Sequence, residues 1–246
     1  MFEDPPPIKD ETEAFLMTLA EGVVTFEMKE HYSSEDTARI PVEEYLRAWE
    51  LDVALQQNRI SLRFVFDRSK VIDRNPPPPG TPVTVDLNAA VIATSAMSAE
   101  VMVTRGEYPA PPKNFKADMD TRVMWEQYER YIQDRDRLLP MAYSCLTRLQ
   151  FRAKFYPAKG DWRRKAASMY SIDYEVLDKL GELTTNLGDE VGARKLSPQS
   201  ELRPPNSQEV TWIEAVLKRI IRRTGQYAVH PQRAWPHITM SDLPTL

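Results

Sequence analysis

The chain is short of the residues from which most reactive sites are built. It has one cysteine, Cys145, and three histidines, His31, His230 and His237, among 246 residues. A lone thiol closes no internal disulfide, which suits a reducing compartment. The four side chains show no metal-ligand spacing. Only eight glycines are present, and there is no Walker A loop, dinucleotide fingerprint or nucleophile elbow. No apolar run approaches the roughly 20 residues needed to cross a bilayer. The first ten residues, MFEDPPPIKD, are acidic and proline-rich where a secretory signal is basic and then apolar. These features predict a cytoplasmic protein with no cofactor, no metal and no membrane partner.

What remains is ordinary globular material. The composition is 42% hydrophobic and 28% charged, ample for a real core. The net charge of −4 gives no global reason to bind nucleic acid. Its distribution is uneven. Up to Ala117 there are 12 Lys+Arg against 19 Asp+Glu; after it there are 20 against 17. A polyanion partner is therefore to be sought in the second half.

Patterning predicts an α+β chain. A short helix is expected from about Glu11 to Glu21, closed by Gly22 as a C-cap. Val24, Phe26 and Met28 alternate with polar residues and predict a strand. Pro41 is expected to open a helix whose stripe is Val42, Tyr45, Leu46, Trp49 and Val53. Ile60, Leu62, Phe64 and Phe66 predict a second strand, with a return through Val71 and Ile72. Pro76 to Gly80 forms a stiff connector. Val83 to Val91 predicts a long strand, and a turn near Thr94–Ser98 leads into another through Ala99, Val101 and Val103. Strands joined by short turns indicate an antiparallel sheet with the helix packed on one face. After about Ala117 everything reads as helix. The last helix has Asn206 and Glu209 as a capping box and is expected to end at Thr224-Gly225. The predicted organisation is a sheet-plus-helix domain over 1–112 and a helical domain over 113–246. Within that domain, the segment after the last helix carries Trp235, Ile238, Met240, Leu243 and Leu246 and is expected to dock, on its own domain or on a partner.

Two local patterns carry a functional expectation. The stretch 161–183 contains Ala166-Ala167, Tyr170, Ile172 and Val176-Leu177, and it resembles the helix-turn-helix of DNA-binding proteins. The resemblance implies a DNA-binding regulator and a tight turn needing positive φ, which Tyr170 or Ser171 has to supply. The second helix would present Asp173, Tyr174 and Glu175, and carboxylates there repel phosphate. With Ser171 as N-cap, those acids instead suit a helix N-terminus. Arg223 and His230, separated by six residues, resemble the Arg-x(4–6)-His signature of HEPN-type ribonucleases. That resemblance implies RNA cleavage with the histidine in acid-base or positioning chemistry.

Nine basic residues form the candidate nucleic-acid-binding set: Arg163, Arg164, Lys165, Arg194, Lys195, Lys218, Arg219, Arg222 and Arg223. The last four are expected on the side of their helix opposite its apolar stripe. The leading expectation is a non-catalytic regulatory or adaptor protein that binds a protein or nucleic acid. A ribonuclease using Arg223 and His230 and a DNA-binding regulator are the alternatives.

Overall fold

The computed structural model describes residues 5–56, 62–70, 95–101 (main chain only), 107–154, 161–188 and 203–246. The expected strand over 83–91 and the return through Val71 and Ile72 lie outside the described residues. The chain divides into two compact units, Met1–Lys113 and Asn114–Leu246. Among the described residues the first is an antiparallel sheet with one helix and the second is helical, an α+β architecture. No helix among the described residues is long and apolar enough to cross a membrane.

The first unit contains β1 (Ile8–Glu11), β2 (Phe15–Ala20), β3 (Val23–Met28), α1 (Glu35–Gln56), β4 (Leu62–Arg68) and β5 (Ser95–Val101). The sheet order is β1-β2-β3-β5-β4, and every pairing is antiparallel. The helix expected over 11–21 is therefore a β-hairpin arm. Phe15, Met17 and Leu19 point inward at period two and are buried. Glu21 and Gly22 both have positive φ (52° and 73°), as the two-residue turn between twisted strands requires. The Gly22 N–H donates to the Tyr108 hydroxyl at 2.8 Å. The turn expected over Thr94–Ser98 is also corrected, because Ser95 already pairs with Phe26.

On the buried face Phe15, Phe26 and Tyr45 meet edge-on at 4.9–6.0 Å. Val42, Leu46, Trp49 and Val53 of α1 close over them. Each such fully buried apolar side chain contributes about 1.5–3 kcal/mol. The helix starts a turn and a half before Pro41. Ser34 and Thr37 cap it reciprocally, with Thr37 N–H donating to Ser34 Oγ at 3.2 Å and Ser34 N–H to Thr37 Oγ1 at 3.1 Å. Proline in the second turn then has no N–H for the Thr37 carbonyl, and packing of the stripe outweighs that loss. Tyr45 donates to Asp10 at 2.6 Å, and Glu50 accepts the Phe64 N–H at 2.6 Å, tying the helix to both ends of the sheet.

The second unit contains α2 (Met119–Ile132), α3 (Leu138–Lys154), α4 (Trp162–Tyr170), α5 (Tyr174–Asn186), α6 (Ser207–Val229) and a 3₁₀ turn, Met240–Asp242. Asp118 caps α2 by accepting the Thr121 N–H at 2.9 Å. Nearly buried Asp120 takes Arg148 at 3.0 Å and Arg152 from α3. The expected capping box of α6 is present: Glu209 N–H donates to Asn206 at 2.9 Å and Asn206 N–H to Glu209 at 2.8 Å. The expected end at Gly225 is not. The helix runs on to Val229, and Gly225 serves close packing, since a Cβ there would lie 2.3 Å from the Phe115 ring.

Candidate functional site

The helix-turn-helix-like segment acquires its shape from residues far away in the chain. Asp161 starts α4 by accepting the Arg163 N–H at 2.9 Å. At the other end Ser171 stands in the left-handed region (φ 49°, ψ 55°), the role glycine usually fills. It is thus the C-cap of α4, not the N-cap of α5 as its side chain suggests. Its cost is offset from outside the turn. Arg223 Nη1 donates to the carbonyls of Tyr170 (2.7 Å) and Ser171 (2.8 Å), and Nη2 to that of Pro236 (2.7 Å). Nε donates to Gln226 at 3.1 Å. Ile238 adds a parallel bridge, its N–H donating to Ser171 O (3.0 Å) and its carbonyl accepting the Asp173 N–H (2.9 Å).

Arg223 is only 6% exposed, so it does not belong to a solvated face. With α6 continuous past Gly225, the spacing Val216, Ile220, Arg223 puts it on the buried stripe. Burial first, and then neighbouring Arg222, push its pKa down to about 10, which leaves it charged at neutral pH. The C-terminal segment therefore docks on its own unit, with Ile238 and Leu243 buried. Asp173 is the N-cap residue of α5, but its carboxylate pairs with His237 Nδ1 at 2.9 Å and makes no capping bond.

The other basic residues are dispersed. Arg163 reaches Asp178 at 2.6 Å and covers Gly181, where a Cβ would meet its guanidinium at 2.5 Å. Arg164 lies 4.1 Å over the Tyr174 ring and 3.5 Å from Asp161. Lys218 faces Tyr128 of α2 at 5.9 Å. Arg219 is exposed and Arg222 half-exposed. Arg194 and Lys195 lie outside the described residues. On the outward side of α5, Glu175, Asp178 and Glu182 are exposed at helical spacing. His230 is the C-cap of α6, its N–H donating to Gln226 O at 3.2 Å. Cys145 is a core residue whose thiol burial pushes up to about 12.

Beside the α4–α5 turn is a cavity of about 560 Å³ that the sequence patterns did not reveal. Its walls come from α4 (Lys165, Ser168, Met169), the end of α6 (Tyr227) and the turn Pro231–Ala234. Lys165 is one of the nine basic residues; Arg233 is not. Lys165 Nζ stands 4.3 Å over the Trp162 ring and Arg233 4.4 Å over the Trp235 ring. The Lys165 ammonium and the Trp235 indole N–H are shielded from solvent and have no hydrogen-bond partner among the described residues. The one legible signal for this second cation was the basic-aromatic run Gln232-Arg233-Ala234-Trp235. Among the described residues no group of three or more His, Cys, Asp or Glu side chains is arranged to hold a metal ion. No protein-family model, curated protein or solved structure matches the chain.

Proposed function

We propose that the chain is a non-catalytic regulatory or adaptor protein of the cytoplasm, with a sheet-plus-helix domain over 1–112 and a helical domain over 113–246, and that it acts by binding a protein partner. The observation that carries this reading is how α4, α5 and α6 commit their charges. Three of the cations that would grip a phosphate backbone are turned onto the fold itself: Arg163 on Asp178, Arg164 on Asp161, Arg223 on three carbonyls. On the outward face of α5, Asp178 is paired with Arg163 and Glu182 with Lys179 at 3.0 Å, and exposed Glu175 adds a charge that repels a polyanion. Arg223, as a structural clamp, is also withdrawn from the chemistry that a pairing with His230 would need.

Site-specific photo-crosslinking in cells from positions 175 and 182 tests the reading, with protein and nucleic-acid adducts scored separately. Protein adducts are expected. Nucleic-acid adducts as the main product overturn the choice of partner. Cleavage of RNA by the purified chain, abolished in His230→Ala, overturns the non-catalytic reading and puts the ribonuclease in its place.

A further inference from the structure

The cavity beside the α4–α5 turn has a charge imbalance that the fold does not resolve. Its lining includes two cations, Lys165 and Arg233, and no Asp or Glu among the described residues. Both cations are seated on tryptophan faces, at 4.3 Å and 4.4 Å. An aromatic face attracts a cation and fixes its place but leaves its charge un-neutralised. Among the described residues the Lys165 ammonium has no acceptor, and it sits on a rotatable four-carbon stem beside the cavity. Two like charges lining one open cleft raise the positive potential there. Ser168, Ser171 and Gln232 add polar lining, and Met169, Tyr227 and Pro231 give the hollow an apolar side. A volume of about 560 Å³ is within the range of small-molecule sites.

We propose that this cavity binds a small organic anion, a carboxylate or phosphate group on an apolar body, held between Lys165 and Arg233. The anionic head supplies the acceptor that the lysine lacks and completes the arginine with a paired hydrogen bond. The apolar body lies against Met169 and Tyr227. This site is independent of the partner proposed above and stands whether or not that partner is a protein.

The test titrates the full chain with phenyl phosphate and, separately, with 3-phenylpropionate, with benzyl alcohol as the uncharged control. The indole N–H resonances of Trp162 and Trp235 are the readout, because these rings carry the two cations. Saturable shifts of both resonances are expected with at least one anion, and which anion binds more tightly tells a phosphate site from a carboxylate site. Removing one charged contact, in Lys165→Gln or Arg233→Gln, should weaken that binding about tenfold. Arg135→Gln, far from the lining, should leave it unchanged. Arg233 is on an exposed turn, so its variant keeps the test valid if Lys165→Gln fails to fold. The proposal is overturned if neither anion shifts these signals saturably, if the alcohol binds equally well, or if Arg233→Gln binds as wild type does.

Discussion

Replacing Arg223 by alanine should loosen the α4–α5 turn and release the C-terminal segment together. The guanidinium makes four hydrogen bonds, three of them to main-chain carbonyls. After truncation Ser171 O keeps its bond from the Ile238 N–H, so the Tyr170 and Pro236 carbonyls bear most of the loss. A buried polar group left without its partner costs about 1–3 kcal/mol, and two such groups give roughly 2–6 kcal/mol. Left-handed Ser171 also loses its clamp, and such conformations cost about 1–3 kcal/mol when unsupported. Taking about 3 kcal/mol, the low end of the sum, a unit of this size should melt at least roughly 10 °C lower. Circular dichroism melting gives the shift, and limited proteolysis between Arg233 and Leu246 reports release of the segment. Arg223→Lys should fall in between, since one ammonium cannot span three carbonyls as a planar fork does. Deleting 236–246 should make the Arg223→Ala effect smaller, because the two changes remove a shared contact. A wild-type melting temperature for Arg223→Ala, with the segment still protected, would refute the clamp.

Other consequences are as direct. Gly225→Ala should destabilise by about 1–3 kcal/mol in denaturant titration, because crowding against Phe115 outweighs the roughly 1 kcal/mol gained in helix propensity; Phe115→Leu in the same chain should restore part of it. Glu209 is held below its usual pKa of 4.5, chiefly by hydrogen bonds from Arg203 at 2.6 and 2.7 Å. A depressed carboxylate stabilises fully above its unfolded pKa and loses that contribution as pH falls through the folded one. The difference in melting temperature between wild type and Arg203→Gln should therefore be present at neutral pH and fade below about pH 4.5; a difference that survives into strong acid contradicts it. Cys145, buried and with its pKa raised to about 12, should resist thiol reagents at pH 8 until the chain is unfolded, and rapid labelling of the native protein would place it elsewhere.

The fold was legible wherever one period dominated. Val24, Phe26 and Met28 alternate without interruption, and Asn206 with Glu209 announces α6. In FLMTLA, by contrast, Leu16 sits between Phe15 and Met17 and fills the polar phase of the alternation, so the strand reads equally well as helix. Glycine compounds the ambiguity. Gly22 makes a hairpin and Gly225 admits an aromatic ring, yet both look like helix stops in one dimension. The positive φ at Ser171 was anticipated from the resemblance to a helix-turn-helix. What holds it was not, because Arg223, Pro236 and Ile238 are joined to it only by folding. The same is true of Lys165 and Arg233. No local pattern records that a residue of α4 and a residue beyond α6 will border one hollow.

The docking of Ile238 on Ser171 also sets an order of events during translation. Residues emerge from the ribosome in sequence, and a domain folds as a unit once its parts are available. The helices α4 and α5 are made well before Arg223, Pro236 and Ile238, the residues that hold the serine between them in its left-handed form. Until those residues emerge, Tyr170 and Ser171 have water as the only acceptor-satisfying partner for the carbonyls that Arg223 later takes. A nascent chain stalled before residue 223 can already lay α4 and α5 on α3, but it lacks the clamp on Ser171 and the apolar face of α6, so a ribosome pause in that window would prolong the time for which the core of this unit is incomplete.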